Sequence, residues 1–314
     1  MDQGTATTTV AVCVITFKRP EGLRRLLNGL NALCFRDTPP ELEVIVVDND
    51  PTASARRVCS ELRSALKWPI QYHVEPCRGI PFARNKAVAR ALETADFIAF
   101  IDDDEVPEPD WLDELLHVQH ACDVDVVTGP VVPHFPDEVP HWVIKGRFFE
   151  SPRYPTGRCM DVAFTHNVLA RNNVYRAMEP IFDERLAMTG GSDSHFFRRV
   201  HRAGFSIVWA DVALVSEWIP KSRACFGWLV QRAFRSGTTL GFVTLDLGSA
   251  WSGRLELAAK AAVWIAIGVL LAPCGLVAGR HVFVKGIRYI AYGAGYLASI
   301  AGTHYDEYKT THGT

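Results

Sequence analysis

The sequence predicts an α/β protein: an open, doubly wound, mostly parallel sheet with flanking helices, followed by an apolar helical tail. Three observations lead there. VAVCVIT, LEVIVV and FIAFI are short, nearly continuous apolar runs, the form of strands covered on both faces. Helical stretches separate them, among them the leucines at 26, 27, 30 and 33, so strand and helix alternate at the rhythm of right-handed parallel crossovers. Apolar stretches at 261–279 and 287–302 close the chain.

Taken in order, the strand Val10–Thr16 ends in FKRPEG, and a helix follows over Arg24–Leu33. Leu42–Val47 is a second strand closed by Asp48-Asn49-Asp50-Pro51, followed by a helix over Ala53–Leu66. Gln71–Val74 is a weaker third strand; glycine and proline in EPCRGIP then open a turn before the helix Ala83–Glu93. Phe97–Ile101 is the fourth strand, and Asp110 is placed to cap Trp111–His117. Strand character returns at Asp123–Gly129 and Ala163–Ala170. Between these, Pro133–Asp161 is too rich in proline for regular structure and reads as a lid or binding loop on the substrate side. A Gly-Gly turn then leads into a helix with Phe196, Phe197 and Val200 on its apolar side.

The 314 residues allow one large domain and an appendage. A net charge of −2 and no Lys/Arg block argue against a nucleic-acid partner held by charge. Eight scattered cysteines without a CxxC pair read as reduced cytosolic thiols. MDQGTATTTVAV has no basic region ahead of an apolar one, so no secretory signal is expected and the first domain stays inside the cell.

Ligands of open α/β sheets bind beyond the carboxyl ends of the strands. At that edge fall Thr16 with Arg19, Asp48 with Asp50, Arg78 through Asn85, and Asp102 through Asp104. Neither GxxxxGK[ST] nor GxGxxG follows the first strand, where TFKRPEG stands. In FIAFIDDDEVPEPDW a cap or solvated turn needs one carboxylate, whereas Asp102, Asp103, Asp104 and Glu105 repel one another. A divalent cation among them relieves that repulsion and can bridge phosphate oxygens. Asp48 suits a hydrogen bond from a base or ribose, the plainer reading being a turn-forming Asp.

VCVITFKRPEGLRRLL, EVIVVDND, RGIPFARNKAVARAL and FIAFIDDDEVPEPDWL, in that order, resemble the nucleotide-sugar half of an inverting family 2 glycosyltransferase with the GT-A fold, of the bacterial exopolysaccharide, succinoglycan type. The resemblance runs from about Val10 to Gly237. It implies transfer of a single hexose from a UDP-sugar, UDP-glucose favoured, to a saccharide acceptor carried on a polyprenyl diphosphate, with Mg²⁺ or Mn²⁺ as cofactor. By it Thr16 and Asp48 contact uracil, Arg84 and Asn85 help hold the donor, Asp102 meets the ribose and Asp104 ligates the metal. Arg19, Asp50 and Asp103 join the donor-binding set, and Asp102 is also a candidate metal ligand. The division of roles within the Asp triplet stays open, because an extended turn points Asp102 and Asp104 one way and Asp103 the other.

Inverting transfer needs a carboxylate to deprotonate the acceptor hydroxyl. GGSD resembles the family segment bearing that base, which assigns it to Asp193, with Ser192 where many relatives have Glu. Asp193 also suits the first turn of a helix, and His195 is an alternative base. QRAFRSG at 231–237 is similar to the Gln/Arg motif of processive relatives but has no Trp, which favours single-sugar addition. Arg232 and Arg235 there either neutralise the departing diphosphate or form a charged helix face.

Ala261–Gly279 is uncharged and just long enough to cross a bilayer, but Pro273 and its glycines weaken it; Ile287–Gly302 is shorter. Arg254 and Lys260 precede the first segment, and Arg280, Lys285 and Arg288 follow it, so charge gives no orientation. The expectation is a membrane-associated hairpin or interfacial helix pair at the bacterial inner membrane, with a cytoplasmic catalytic domain; a soluble tail packed on that domain is the alternative. The expected division is 1–245 for the catalytic domain (about 8–130 for the nucleotide sugar, 131–245 for the acceptor) and 246–314 for the tail. Three alternatives stand beside this reading. A polyprenyl-phosphate sugar synthase of the same fold would leave Asp193 dispensable, a nucleotidyltransferase would show a glycine-rich phosphate loop, and a non-catalytic membrane-linked head would bind UDP without turnover.

Overall fold

The computed structural model describes residues 7–248 and 250–302. The chain forms two compact units: the first holds the chain up to Val132 with Ser151–Ala187 and Ser192–Glu217, the second Pro133–Glu150, Met188–Gly191 and the chain from Trp218 onward.

The elements run in order β1 (Thr9–Thr16), α1 (Pro20–Asn31), β2 (Glu41–Asp48), α2 (Arg56–Leu62), β3 (Ile70–Val74), α3 (Ile80–Ala91), β4 (Phe97–Asp102), β5 (Glu105–Pro107) and α4 (Trp111–Cys122). There follow β6 (Val126–Thr128), β7 (Val131–His134), α5 (His141–Lys145), β8 (Val168–Arg171), α6 (Asn172–Arg176) and α7 (Ser192–Arg202). The chain ends with β9 (Ile207–Trp209), β10 (Val215–Trp218), α8 (Phe226–Leu247), α9 (Ala250–Ala278) and α10 (Arg280–Ile300).

The main sheet has the order β3-β2-β1-β4-β8-β6-β9. β1 pairs in parallel with β2 and β4, and β8 is antiparallel to both its neighbours. Alternation along the strands sorts side chains between two cores. Val10, Val12 and Val14 of β1, with Val44 and Val46 of β2, pack on one face with α1 and α4; Cys13, Ile45, Val47, Ile98 and Phe100 pack on the other with α3 and α7. Leu23, Leu26, Leu27 and Leu30 of α1 are fully buried; at about 1.5–3 kcal/mol for each such side chain, this stripe fixes the helix on the sheet. The same alternation carries Thr16, Asp48 and Asp103 toward the α1 face and Asp102 toward the α3 and α7 face.

Several boundaries differ from expectation. The acidic stretch is no long loop: Glu105–Pro107 forms β5, antiparallel to β10 in a small second sheet. Asp110 makes no side-chain capping bond to α4. The helix expected over Ala53–Leu66 is shorter, as α2, because Asp50 through Ala55 is held in turns by Asp48 and Asp50.

In the second unit α8, α9 and α10 pack through glycines. A Cβ at Gly237 would lie 2.2 Å from the Tyr292 carbonyl oxygen, and one at Gly241 2.0 Å from Ser299 Oγ. These close approaches tie α8 to α10, so the units do not follow a single cut at 245. α5 and Phe148–Phe149 join them through a cluster with Val143, Leu229 and Val284, in which Phe149 stacks 5.6 Å from Trp228. The stretch expected to be irregular at Pro133–Asp161 thus contains α5. Helix α9 continues through Pro273 and is long and apolar enough to cross a membrane, as judged by length and composition.

Candidate active site

Parallel register assembles the site. Thr16 is level with Asp48, and Ile15 with Asp102, so the carboxyl ends of β1, β2 and β4 come together at one edge.

The tight turn after Asp102, unlike an extended one, sends Asp103 and Asp104 toward a common partner. Arg19 Nη1 donates to Asp103 Oδ1 at 2.9 Å and to Asp104 Oδ2 at 3.0 Å. Thr16 Oγ1 donates to Asp103 Oδ2 at 2.8 Å, so Thr16 and Asp103 lock the end of β1 to the turn. Gly22 lets α1 reach the same place, since a Cβ there would sit 2.5 Å from the Asp103 carbonyl oxygen. Asp102 faces the other way. Its backbone N–H donates to Glu105 Oε2 at 2.9 Å.

Burial pushes Asp102 up to about 7; Arg84 opposes the shift, while Asp104, Asp103 and Asp193 add to it. Burial likewise raises Asp103 to about 6 against Arg19, and lifts Glu105 well above the carboxylate range. Carboxylates so desolvated and crowded favour a positive charge among them, and an all-oxygen donor set suits a hard divalent cation. The oxygen-rich residues at this turn therefore fit one.

Asp193 lies in the first turn of α7, half-buried, and its Oδ1 accepts from Ser194 N at 2.7 Å. Gly190 and Gly191, with φ of 79° and 84°, bring the chain into that helix, a region closed to most other residues. Phe196, Phe197 and Val200 are fully buried as expected, Phe196 stacking 5.2 Å from Tyr175. Arg84 Nη1 donates to Ser192 Oγ at 2.9 Å, bridging α3 to α7. This buried bond joins α3 to the segment carrying Asp193, with Ser192 as its partner.

Asn85, Asp48 and Asp50, expected on the donor, also have partners within the protein. Asn85 Nδ2 donates to Phe182 O and its Oδ1 accepts from Phe182 N, both at 2.9 Å, which makes it a tether for α3. Asp48 is fully buried; its Oδ1 accepts from Asp50 N at 3.0 Å, and its Oδ2 from Ala55 N and Tyr72 Oη, each at 2.8 Å. It organises the loop after β2. Asp50 is buried too and accepts from Thr52; burial works against its ionisation, but the hydrogen bonds from Thr52 hold it below its ordinary value. His195 is buried at 2 % exposure. Arg232 and Arg235 lie on α8 in the second unit, Arg232 over the rings of Trp228 and Phe149 at 5.1 and 5.7 Å.

Asn49 was missed. Its Nδ2 donates to Glu75 O at 3.0 Å and Cys77 O at 2.7 Å, and its Oδ1 accepts from Gly79 N at 2.8 Å. It thereby staples the end of β2 to the loop before α3. Lys18 and Arg78 flank the Phe17 ring at 5.3 and 5.4 Å; their place at the strand edge was the only signal for them.

The family profile described as Glycosyl transferase family 2 matches residues 11–177. The chain is 34 % identical over 271 residues to the succinoglycan biosynthesis protein ExoM of Rhizobium meliloti, covering 84 % of this chain and 85 % of that one. Among solved structures it resembles the mannosyltransferase PcManGT of Pyrobaculum calidifontis in complex with GDP-Man and Mn²⁺ (TM-score 0.61, 20 % identity, 93 % of this chain and 88 % of that one). It also resembles S. aureus TarS 1–349 in complex with UDP (TM-score 0.54, 15 % identity, 95 % and 93 %). At these identities the structures establish a shared fold, the GT-A architecture of glycosyltransferases.

Proposed function

Because the chain belongs to glycosyl transferase family 2, we propose that it moves a single hexose, glucose favoured, from a UDP-sugar to a saccharide acceptor with inversion, in bacterial exopolysaccharide synthesis. The similarity to ExoM supports the polymer class. The observation that carries the mechanism is geometric: Arg84 of α3 donates to Ser192 Oγ at 2.9 Å, which ties the start of the helix bearing Asp193 to the strand-edge elements. This supports a division of tasks between the carboxylates after β4 and Asp193 on α7, at the sheet edge where ligands of open α/β folds bind.

Asp102 and Asp104 would hold Mg²⁺ or Mn²⁺, which when bound supplies countercharge to the diphosphate. Asp193 accepts the proton of the acceptor hydroxyl as its oxygen attacks the anomeric carbon opposite the departing UDP. Arg84, through Ser192, keeps the start of α7 in register with the donor edge. Thr16, Arg19 and Asp103 set the acidic turn, while Asp48, Asn49 and Asp50 shape the loop offered to the base. Arg232 and Arg235 are the second unit's candidates for the departing diphosphate. The apolar α9 supports membrane association; a polyprenyl-diphosphate-linked acceptor and a cytoplasmic catalytic domain at the inner membrane complete this proposal.

The test is sugar release and binding by the detergent-solubilised full chain with UDP-glucose, UDP-galactose, their N-acetyl forms and GDP-mannose, each with Mn²⁺ and with EDTA. One UDP-sugar bound and turned over with Mn²⁺ supports the reading. Turnover of GDP-mannose alone overturns the donor, and equal activity in EDTA overturns the metal.

A further inference from the structure

Exposed apolar surface and clustered positive charge meet within the second unit. On α9 the exposed residues Trp251, Leu255, Val263, Leu270, Leu276 and Val277 cover a broad apolar side of the helix. All are exposed, Trp251 at 73 %, Leu276 at 90 % and Val277 at 95 %. No charge interrupts this face; Arg254, Glu256 and Lys260 lie on its flanks.

The opposite face is covered by α10. Leu257, Ala261 and Ala272 are buried there, and a Cβ at Gly268 would lie 2.5 Å from the Gly286 carbonyl oxygen. Gly286 in turn meets Ala272, and Gly275 meets Phe283. Lys285, next to Gly286, is therefore level with the middle of the uncharged stretch. Were α9 to cross a bilayer, Lys285 and its neighbours on α10 would be drawn into hydrocarbon with it, which charged side chains strongly oppose.

The first turns of α10 carry Arg280, His281 and Lys285, and α5, packed on α10, adds His141 and Lys145. The Arg280 guanidinium lies 4.7 Å over the Trp142 ring. His281 is depressed below its ordinary value by burial first and then by the charges of Lys145, Lys285 and His141. The exposed Ile144 and Phe283 belong to the same two helices. An apolar face as long as the helix, with cations at one end, is the arrangement of helices that lie in a membrane interface and contact anionic headgroups.

We propose that the second unit docks on a bilayer surface containing anionic phospholipid, α9 lying in the interfacial plane with its Trp251–Val277 face among the acyl chains and the α5–α10 cations on headgroup phosphates. This rests on the membrane reading above and adds to it the orientation of α9 and the lipid class.

The test is flotation of the full chain with vesicles of phosphatidylcholine alone and of phosphatidylcholine mixed with phosphatidylglycerol. Binding to the mixed vesicles should be at least tenfold tighter, and alkaline carbonate should strip the protein from them. Lys145→Gln and Arg280→Gln should each weaken binding to the mixed vesicles about fivefold. Leu276→Ser with Val277→Ser, both at fully exposed positions, should weaken binding to both lipids while the circular dichroism stays unchanged. Carbonate-resistant binding, equal for the two lipids, would mean that α9 spans and overturns this inference while the membrane reading stands. No flotation with either vesicle overturns both.

Discussion

Asp102 and Asp103 are adjacent in the chain but occupy different surroundings, because strand alternation sends one toward α3 and α7 and the other toward α1. Asp103 is tied to Thr16 and Arg19, whereas the Asp102 backbone N–H donates to Glu105. Asp104→Ala should therefore abolish Mn²⁺-supported UDP binding, measured by calorimetry. Asp193→Asn should bind UDP as the parent does and lower kcat by a factor of about 10²–10⁴; near-parental transfer by this variant would favour attack by a lipid phosphate, which needs no base. Asn49→Ala strands two carbonyls and one N–H and should cost about 1–3 kcal/mol in denaturant unfolding. The acidic residues were legible because carboxylates crowded after an apolar run demand an explanation. Asn49 and Tyr72 were not, since their partners are brought near only by the fold.

At the scale of elements, alternating apolar runs revealed β1, β2, β4 and the helices between them, because burial on both faces leaves a pattern in the chain. The antiparallel direction of β8 left none: a short buried strand reads the same whichever way it runs. β5 was hidden in the acidic stretch, its three residues too few to show a period. The close approach of α1 to the acidic turn was equally silent, although it yields a sharp prediction. Gly22→Ala must displace the Asp103 backbone or α1; weaker Mn²⁺-dependent donor binding in a protein that still unfolds cooperatively is the expected result. Leu26→Ala, by contrast, should cost about 2–5 kcal/mol of stability with donor affinity unchanged in the folded fraction.

Over the whole molecule, charge and cysteine content narrowed the class, and family membership makes the chain a glycosyltransferase. The composition of the second unit was illegible, because contacts between helices at Gly237, Gly241 and Gly295 depend on pairs far apart in sequence. That unit draws on segments separated by Ser151–Ala187 and Ser192–Glu217 of the first one, and Val143, Phe148 and Phe149 share a cluster with Val284. On the ribosome, Val143 thus emerges roughly 140 residues before Val284, a wait of about 7–30 s at ordinary elongation rates. Nascent chains arrested before Val284 should be cut by protease within residues 133–150, and those carrying all of α10 clear of the exit tunnel should resist. Synthesis order thereby sets a window in which a holding chaperone, or the membrane itself, can engage the unfinished unit.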